Sequence, residues 1–68
     1  MSTWEHEISI EQVCEYLGEK EREAEGAGKP IEAVKFYDAY SALWNAHPDI
    51  RDSLIVAYKR GYTSSMLK

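Results

Sequence analysis

Ala33-Val34-Lys35-Phe36-Tyr37-Asp38-Ala39-Tyr40-Ser41-Ala42-Leu43-Trp44-Asn45 is the stretch whose periodicity decides the fold. Wound at about 100° per residue, Ala33, Phe36, Tyr37, Tyr40, Leu43 and Trp44 fall within about a third of the circumference, and Lys35, Asp38 and Asn45 lie opposite. A strand would alternate every second residue, and this stretch does not. It therefore reads as an amphipathic helix. Four of its inward residues are aromatic, and each such ring buries on the order of 150–250 Å², enough to dominate a small core.

The boundaries of that helix follow from its flanks. Upstream, Gly26-Ala27-Gly28 is a helix stop, and Lys29-Pro30 restarts the chain with proline near the first helical position. Downstream, His47-Pro48 pushes the residue before proline out of the helical region, which closes the helix at about residue 46. Pro48-Asp49 then opens a third helix over 49–60, with Ile50, Leu54, Ala57 and Tyr58 inward and Ile55 on the flank. Gly61 is expected to stop it, with Lys59 and Arg60 complementing the negative end of the dipole. Residues 62–68 are either a short fourth helical turn capped by Thr63 or an irregular tail.

Toward the N-terminus, Ser9 and Gln12 form a capping box, and Ile8 can staple onto Val13. A helix over 9–25 is expected, with Ile10, Val13, Cys14 and Leu17 inward and Glu11, Glu15, Glu19 and Arg22 outward. Beyond Gly18 the apolar stripe is broken by Lys20 and Glu21, so the stretch through Glu25 is expected to project past the core and fray. Residues 1–8, with Trp4 and His6, carry too short a pattern for assignment. The fold class is all-α: one domain over 1–68, a small three-helix bundle or a helical hairpin plus an N-terminal helix.

A chain of 68 residues is at the lower edge of what folds alone, and such chains often add a disulfide, a metal or a partner subunit. Its lone cysteine, Cys14, cannot make an internal disulfide, and a single thiol without a signal peptide points to a reducing cytoplasm. The longest apolar run, Leu54-Ile55-Val56-Ala57-Tyr58, is far below the roughly 20 residues of a spanning helix, so no membrane role is expected. Charge is uneven: residues 1–28 carry eight acids against two bases, and residues 29–68 carry four acids against six bases. The row Glu11, Glu15, Glu19 and Glu23 is an acidic face that can meet a basic partner.

Nothing in the sequence assembles a catalytic or metal site. Cys14, His6 and His47 lie on three separate segments, and Cys14 sits among apolar residues as a small hydrophobe with a disfavoured thiolate. His47 precedes a proline without an orienting partner, and is expected to bond terminal helix carbonyls. Gly26 and Gly28 do not form a phosphate loop, since no strand precedes them and no Ser or Thr follows the lysine. No helix carries a basic stripe, which argues against nucleic acid.

Glu32-Ala33-Val34-Lys35-Phe36-Tyr37 through Pro48, followed by Leu54, Tyr58 and Gly61, resembles the second helix of a tetratricopeptide repeat and the start of the next. It covers about half the chain and departs where Phe36 and Leu43 replace small packing residues and where Gly61 stands one position early. The resemblance implies helix-hairpin packing and no family membership. The functional expectation rests instead on Trp4, Tyr16, Phe36, Tyr37, Tyr40, Trp44, Tyr58 and Tyr62, more large rings than so small a domain can bury. That surplus points to a non-enzymatic protein-interaction module without a cofactor, a regulator or inhibitor that binds a larger protein, self-associates as a homodimer, or both. Tyr37, Trp44, Val56, Tyr58 and Tyr62 are its candidate interface, with Trp44 as the dimer anchor. The alternative is an acidic mimic of nucleic acid presenting the glutamate row of the first helix, which requires that row to stay exposed and unpaired. A nucleic-acid-binding protein using the basic C-terminal part is the third reading.

Overall fold

The computed structural model describes residues 9–66, folded as α1 (Ile10–Gly26), α2 (Pro30–Ala46), a single 3-10 turn (Pro48–Ile50) and α3 (Arg51–Met66). The all-α class expected from the sequence is the observed one. Ser9 caps α1 through the anticipated capping box: its hydroxyl accepts from the Gln12 backbone N–H at 3.1 Å, and the Gln12 side chain accepts from the Ser9 N–H at 3.0 Å. Ile8, the other half of the expected staple, and Trp4 and His6 lie outside the described residues. Gly28 ends the first hairpin arm with φ of +75°, a conformation that only glycine enters cheaply. Pro30 is the first residue of α2, and the His47 N–H closes its end on the Leu43 carbonyl at 3.0 Å.

α1 packs along both other helices, whereas α2 and α3 meet sparingly. Contacts climb α1 and α3 together, from Glu11 beside Asp52 and Ser53 at one end to Glu25 bonded by Tyr62 at the other, so these two helices run in the same sense. The core is lean. Cys14, Leu17, Tyr40, Leu54 and Ala57 form one buried cluster, and Ala24 and Ala33 are buried apart from it. Ile10, Val13, Phe36, Leu43, Trp44, Ile50, Ile55 and Tyr58 pack around that cluster half-buried. The smallest dimension of the molecule, 20 Å, is about two helix diameters, so each helix keeps a broad outer face.

Two expectations are corrected here. Gly61 does not stop the third helix; α3 runs through it to Met66, so the expected boundary at residue 60 and the separate turn after it both give way to one continuous helix. Gly61 is instead a contact residue. A methyl placed on it would stand 2.8 Å from the Glu15 carbonyl carbon and nearer still to its oxygen, and Gly18 faces the Tyr58 carbonyl and the Tyr62 N–H just as closely. Cys14 with Gly18 and Ala57 with Gly61 are small residues at i, i+4, and they let the two backbones approach where side chains would hold them apart. Lys59 and Arg60 consequently sit inside α3, not at its end.

The second correction concerns the end of α1. Ala24 is buried, the Ala27, Gly28 and Lys29 N–H groups bond back to Glu23, Glu25 and Ala24, and the Tyr62 hydroxyl donates to the Glu25 carboxylate. The stretch beyond Gly18 thus stays tied to the fold, with Glu25 reaching α3 past the close approach at Gly18 and Ala24 buried. No helix among the described residues is long and apolar enough to cross a membrane.

Candidate interaction surface

The aromatic side chains gather where α2 faces α3. Tyr40 of α2 is buried and stacks on Tyr58 of α3 with centroids 4.0 Å apart and planes 17° from parallel. Around that pair, Tyr37 meets the Tyr58 ring at 6.4 Å, Trp44 meets Tyr40 edge-on at 6.5 Å, and Tyr62 continues from Tyr58 at 6.2 Å. Offset and edge-on arrangements at these separations match the ring quadrupoles, and each pair contributes about 0.5–1.5 kcal/mol beyond its buried area. The sparse α2–α3 contact is therefore held largely by rings.

The structure thus brings together Tyr37, Trp44, Tyr58 and Tyr62 of the sequence-derived interface, through Tyr40. Val56 stands apart. It lies about 200° around α3 from Tyr58 and is 58% exposed beside Glu11, Asp52, Ser53 and Arg60. Trp44 is not a free anchor: it is half-buried against the core, and the Arg51 guanidinium covers its ring at 4.0 Å. Of the rings near the core, Tyr37 is the one that opens to solvent, at 45% exposure.

The residues missed from the sequence are Ile31 and Val34, 74% and 58% exposed on α2. They lie along the first half of the helix turned away from the Tyr40 core line, and the half-open Tyr37, which touches the Tyr40 and Tyr58 rings, stands between them and the core. Helical angles alone place Ile31 opposite Tyr40, among Lys35 and Asp38. Two branched apolar residues on the polar side of the wheel are the signal that marks them. Tyr16 is also exposed, on α1, with the Lys20 ammonium 5.4 Å from its ring centre.

The acidic face of α1 is partly neutralised. Glu15 pairs with Arg60 at 3.3 Å and Glu23 with Lys20 at 3.5 Å, while Glu11 is exposed and Glu19 half-exposed. The row is thus not the unpaired array that mimicry of nucleic acid requires. A separate acidic pair lies further along, where one buried oxygen of Glu21 finds no donor. Burial first, and then the neighbouring Glu25 charge, raises the Glu21 carboxyl above the usual range.

Cys14 is fully buried, and desolvation followed by the Glu11 charge raises its thiol further from ionisation. Among the described residues no three His, Cys, Asp or Glu side chains are grouped to hold a metal ion. A concavity beside α1 and α2, about 340 Å³ between Tyr16, Lys20, Glu23, Lys29, Glu32 and Phe36, is a wide-open cleft whose two lysines and two glutamates balance. Comparison with protein-family models, curated proteins and solved structures finds no match, so the tetratricopeptide resemblance stays at the level of helix-hairpin packing.

Proposed function

We propose that this protein is a non-enzymatic protein-binding module whose contact surface is the outer face of α2. The observation that carries the reading is the pair Ile31 and Val34, with Tyr37 at its inner edge: large apolar side chains exposed on the outer side of α2 in a chain whose core has few to spare. Single exposed apolar residues are ordinary on a protein surface, and it is the adjacency of Ile31 and Val34 that supports a contact surface here. In this role the chain acts as a regulator or inhibitor by occupying a partner's surface, and not by turning over a substrate. Affinity purification of the tagged full chain from its native cell tests the reading. The expected result is a protein retained in stoichiometric amount by the wild type and lost with Val34→Asp, while circular dichroism shows the variant still helical. Recovery of nucleic acid alone, or a partner that ignores Val34→Asp, overturns it.

A further inference from the structure

We propose that Glu21, Glu25 and Tyr62 form a proton-operated clasp, in which one proton held between two carboxyls of α1 fastens the last turns of α3 and its loss releases them. The first support is position. Gly18, Glu21, Arg22 and Glu25 follow one another at helical spacing along the side of α1 that meets α3. Gly18 faces the Tyr58 carbonyl and the Tyr62 N–H at one end of that row, and Glu25 accepts the Tyr62 hydroxyl at the other. Glu21 is held between these two points of contact, and one of its oxygens is buried there without a donor.

The second support is chemistry. Glu21 and Glu25 are one helical turn apart, and their side chains meet within hydrogen-bond reach. Two ionised carboxylates are acceptors only and have nothing to share. A single proton makes Glu21 a donor, and the Glu25 carboxylate then accepts from Glu21 and Tyr62 together. When both carboxyls ionise, like charges adjoin and Glu21 carries charge onto an oxygen that no donor solvates. Parting the two side chains relieves this, and Glu25 is the one that holds Tyr62. Burial first, and then Glu25, raise the Glu21 carboxyl above its ordinary 4.5, so the folded clasp keeps its proton where the unfolded chain has lost it. Closure is therefore complete below 4.5 and is lost as pH rises through the raised value. The Tyr62 hydroxyl, pushed above its ordinary 10.0 by its bond to Glu25, stays a donor throughout.

The surrounding charges leave Glu21 in control. Arg22 on α1 acts on the Tyr62 hydroxyl and Lys59 on α3 lies beside the Tyr62 ring, and neither pairs with Glu21 or Glu25 among the described residues. Lys29 and Glu32, about the start of α2, face the cleft with Lys20 and Glu23 on the opposite flank of α1. Opening frees α3 from Tyr62 to its end at Met66 and uncovers the ring that continues the Tyr40–Tyr58 stack. The clasp thus sets how much of the aromatic row is open, separately from the outer face of α2.

The test is an NMR titration of the full chain across the carboxyl range, reading the Glu21 side-chain carbonyl carbon together with amide protection. As Glu21 titrates above 4.5, protection at residues 62–65, corrected for the intrinsic exchange rate, should fall severalfold with the same midpoint, while residues 55–58 keep theirs. Glu21→Gln, whose amide donates to Glu25 without titrating, should keep residues 62–65 protected throughout. Tyr62→Phe should leave Glu21 titrating above 4.5 but remove the step at 62–65, because the tie between them is cut. A wild-type Glu21 that titrates at or below 4.5, protection at 62–65 that ignores its titration, or a step that survives Glu21→Gln overturns the clasp. A fall shared equally by residues 55–58 is global destabilisation and overturns it as well.

Discussion

Gly61→Ala sets two well-calibrated effects against each other. Alanine is the better helix former by about 1 kcal/mol, so a residue inside α3 judged by propensity alone should gain that much. The new methyl, however, would lie 2.8 Å from the Glu15 carbonyl carbon, where carbon atoms rest at about 3.5–4.0 Å. The obstacle is backbone, which cannot swing aside as a side chain does. α3 must move off α1 by roughly an ångström, opening the contact that buries Cys14, Leu54 and Ala57. Overpacking of this kind costs about 1–3 kcal/mol where side chains can adjust, and more against a backbone. We expect a net loss of ~2 kcal/mol or more, a fall in Tm of about 8–16 °C for a domain of this size. Gly18→Ala, facing the Tyr58 carbonyl, should behave alike. Gly26→Ala is the control: its methyl meets only the mobile end of the Arg22 side chain at 3.3 Å, and it should be neutral or stabilising by up to ~1 kcal/mol. Urea unfolding followed by circular dichroism reads all three. If Gly61→Ala is stabilised as Gly26→Ala is, α1 and α3 do not approach as described.

Three further outcomes follow from the same contacts. Ser9→Ala removes half of the capping box and should lower stability by about 1 kcal/mol without changing the fold, measured by the same unfolding experiment. Cys14→Ser places a hydroxyl at a fully buried site and should cost about 1–3 kcal/mol, while the wild-type thiol should react with a soluble disulfide reagent only as fast as the protein unfolds. For Glu21, the folded carboxyl holds its proton above the ordinary value of 4.5, where the unfolded chain has released it. Native protein therefore binds more protons in the window just above 4.5, and stability falls as pH rises through it. Glu21→Gln should flatten that decline and stabilise the protein at about pH 7, with little effect at acid pH; a pH-independent difference between the two would refute the assignment.

The elements were legible wherever local chemistry speaks alone. Ser9 and Gln12 announce the start of α1, Gly28 and Pro30 the hairpin turn, and His47-Pro48 the end of α2, because caps and breakers act within a few residues of themselves. Gly61 was opaque because a glycine has two uses in a helix, ending it or letting another backbone come close. Only the position of α1 tells which. The same blindness hid the contact of Glu25, whose partner Tyr62 comes from α3. At the interaction surface, aromatic content pointed to α2 as a helix, but burial divides its rings. Tyr40 serves the core, Trp44 lies under Arg51, and Tyr37 packs on Tyr58 with one side open to solvent. Helical angle sets Ile31 opposite Tyr40, but it does not tell which rings of the inward arc stay partly open, as Tyr37 does.

The central claim is that the outer face of α2 is where this protein meets another, and site-specific photo-crosslinking in the native cell tests it most directly. A photoreactive residue at Val34 should form a covalent protein adduct, either with a second copy or with a foreign chain, and one at Val56, exposed to the same degree on α3, should not. Adducts from position 56 with none from position 34 would contradict the claim.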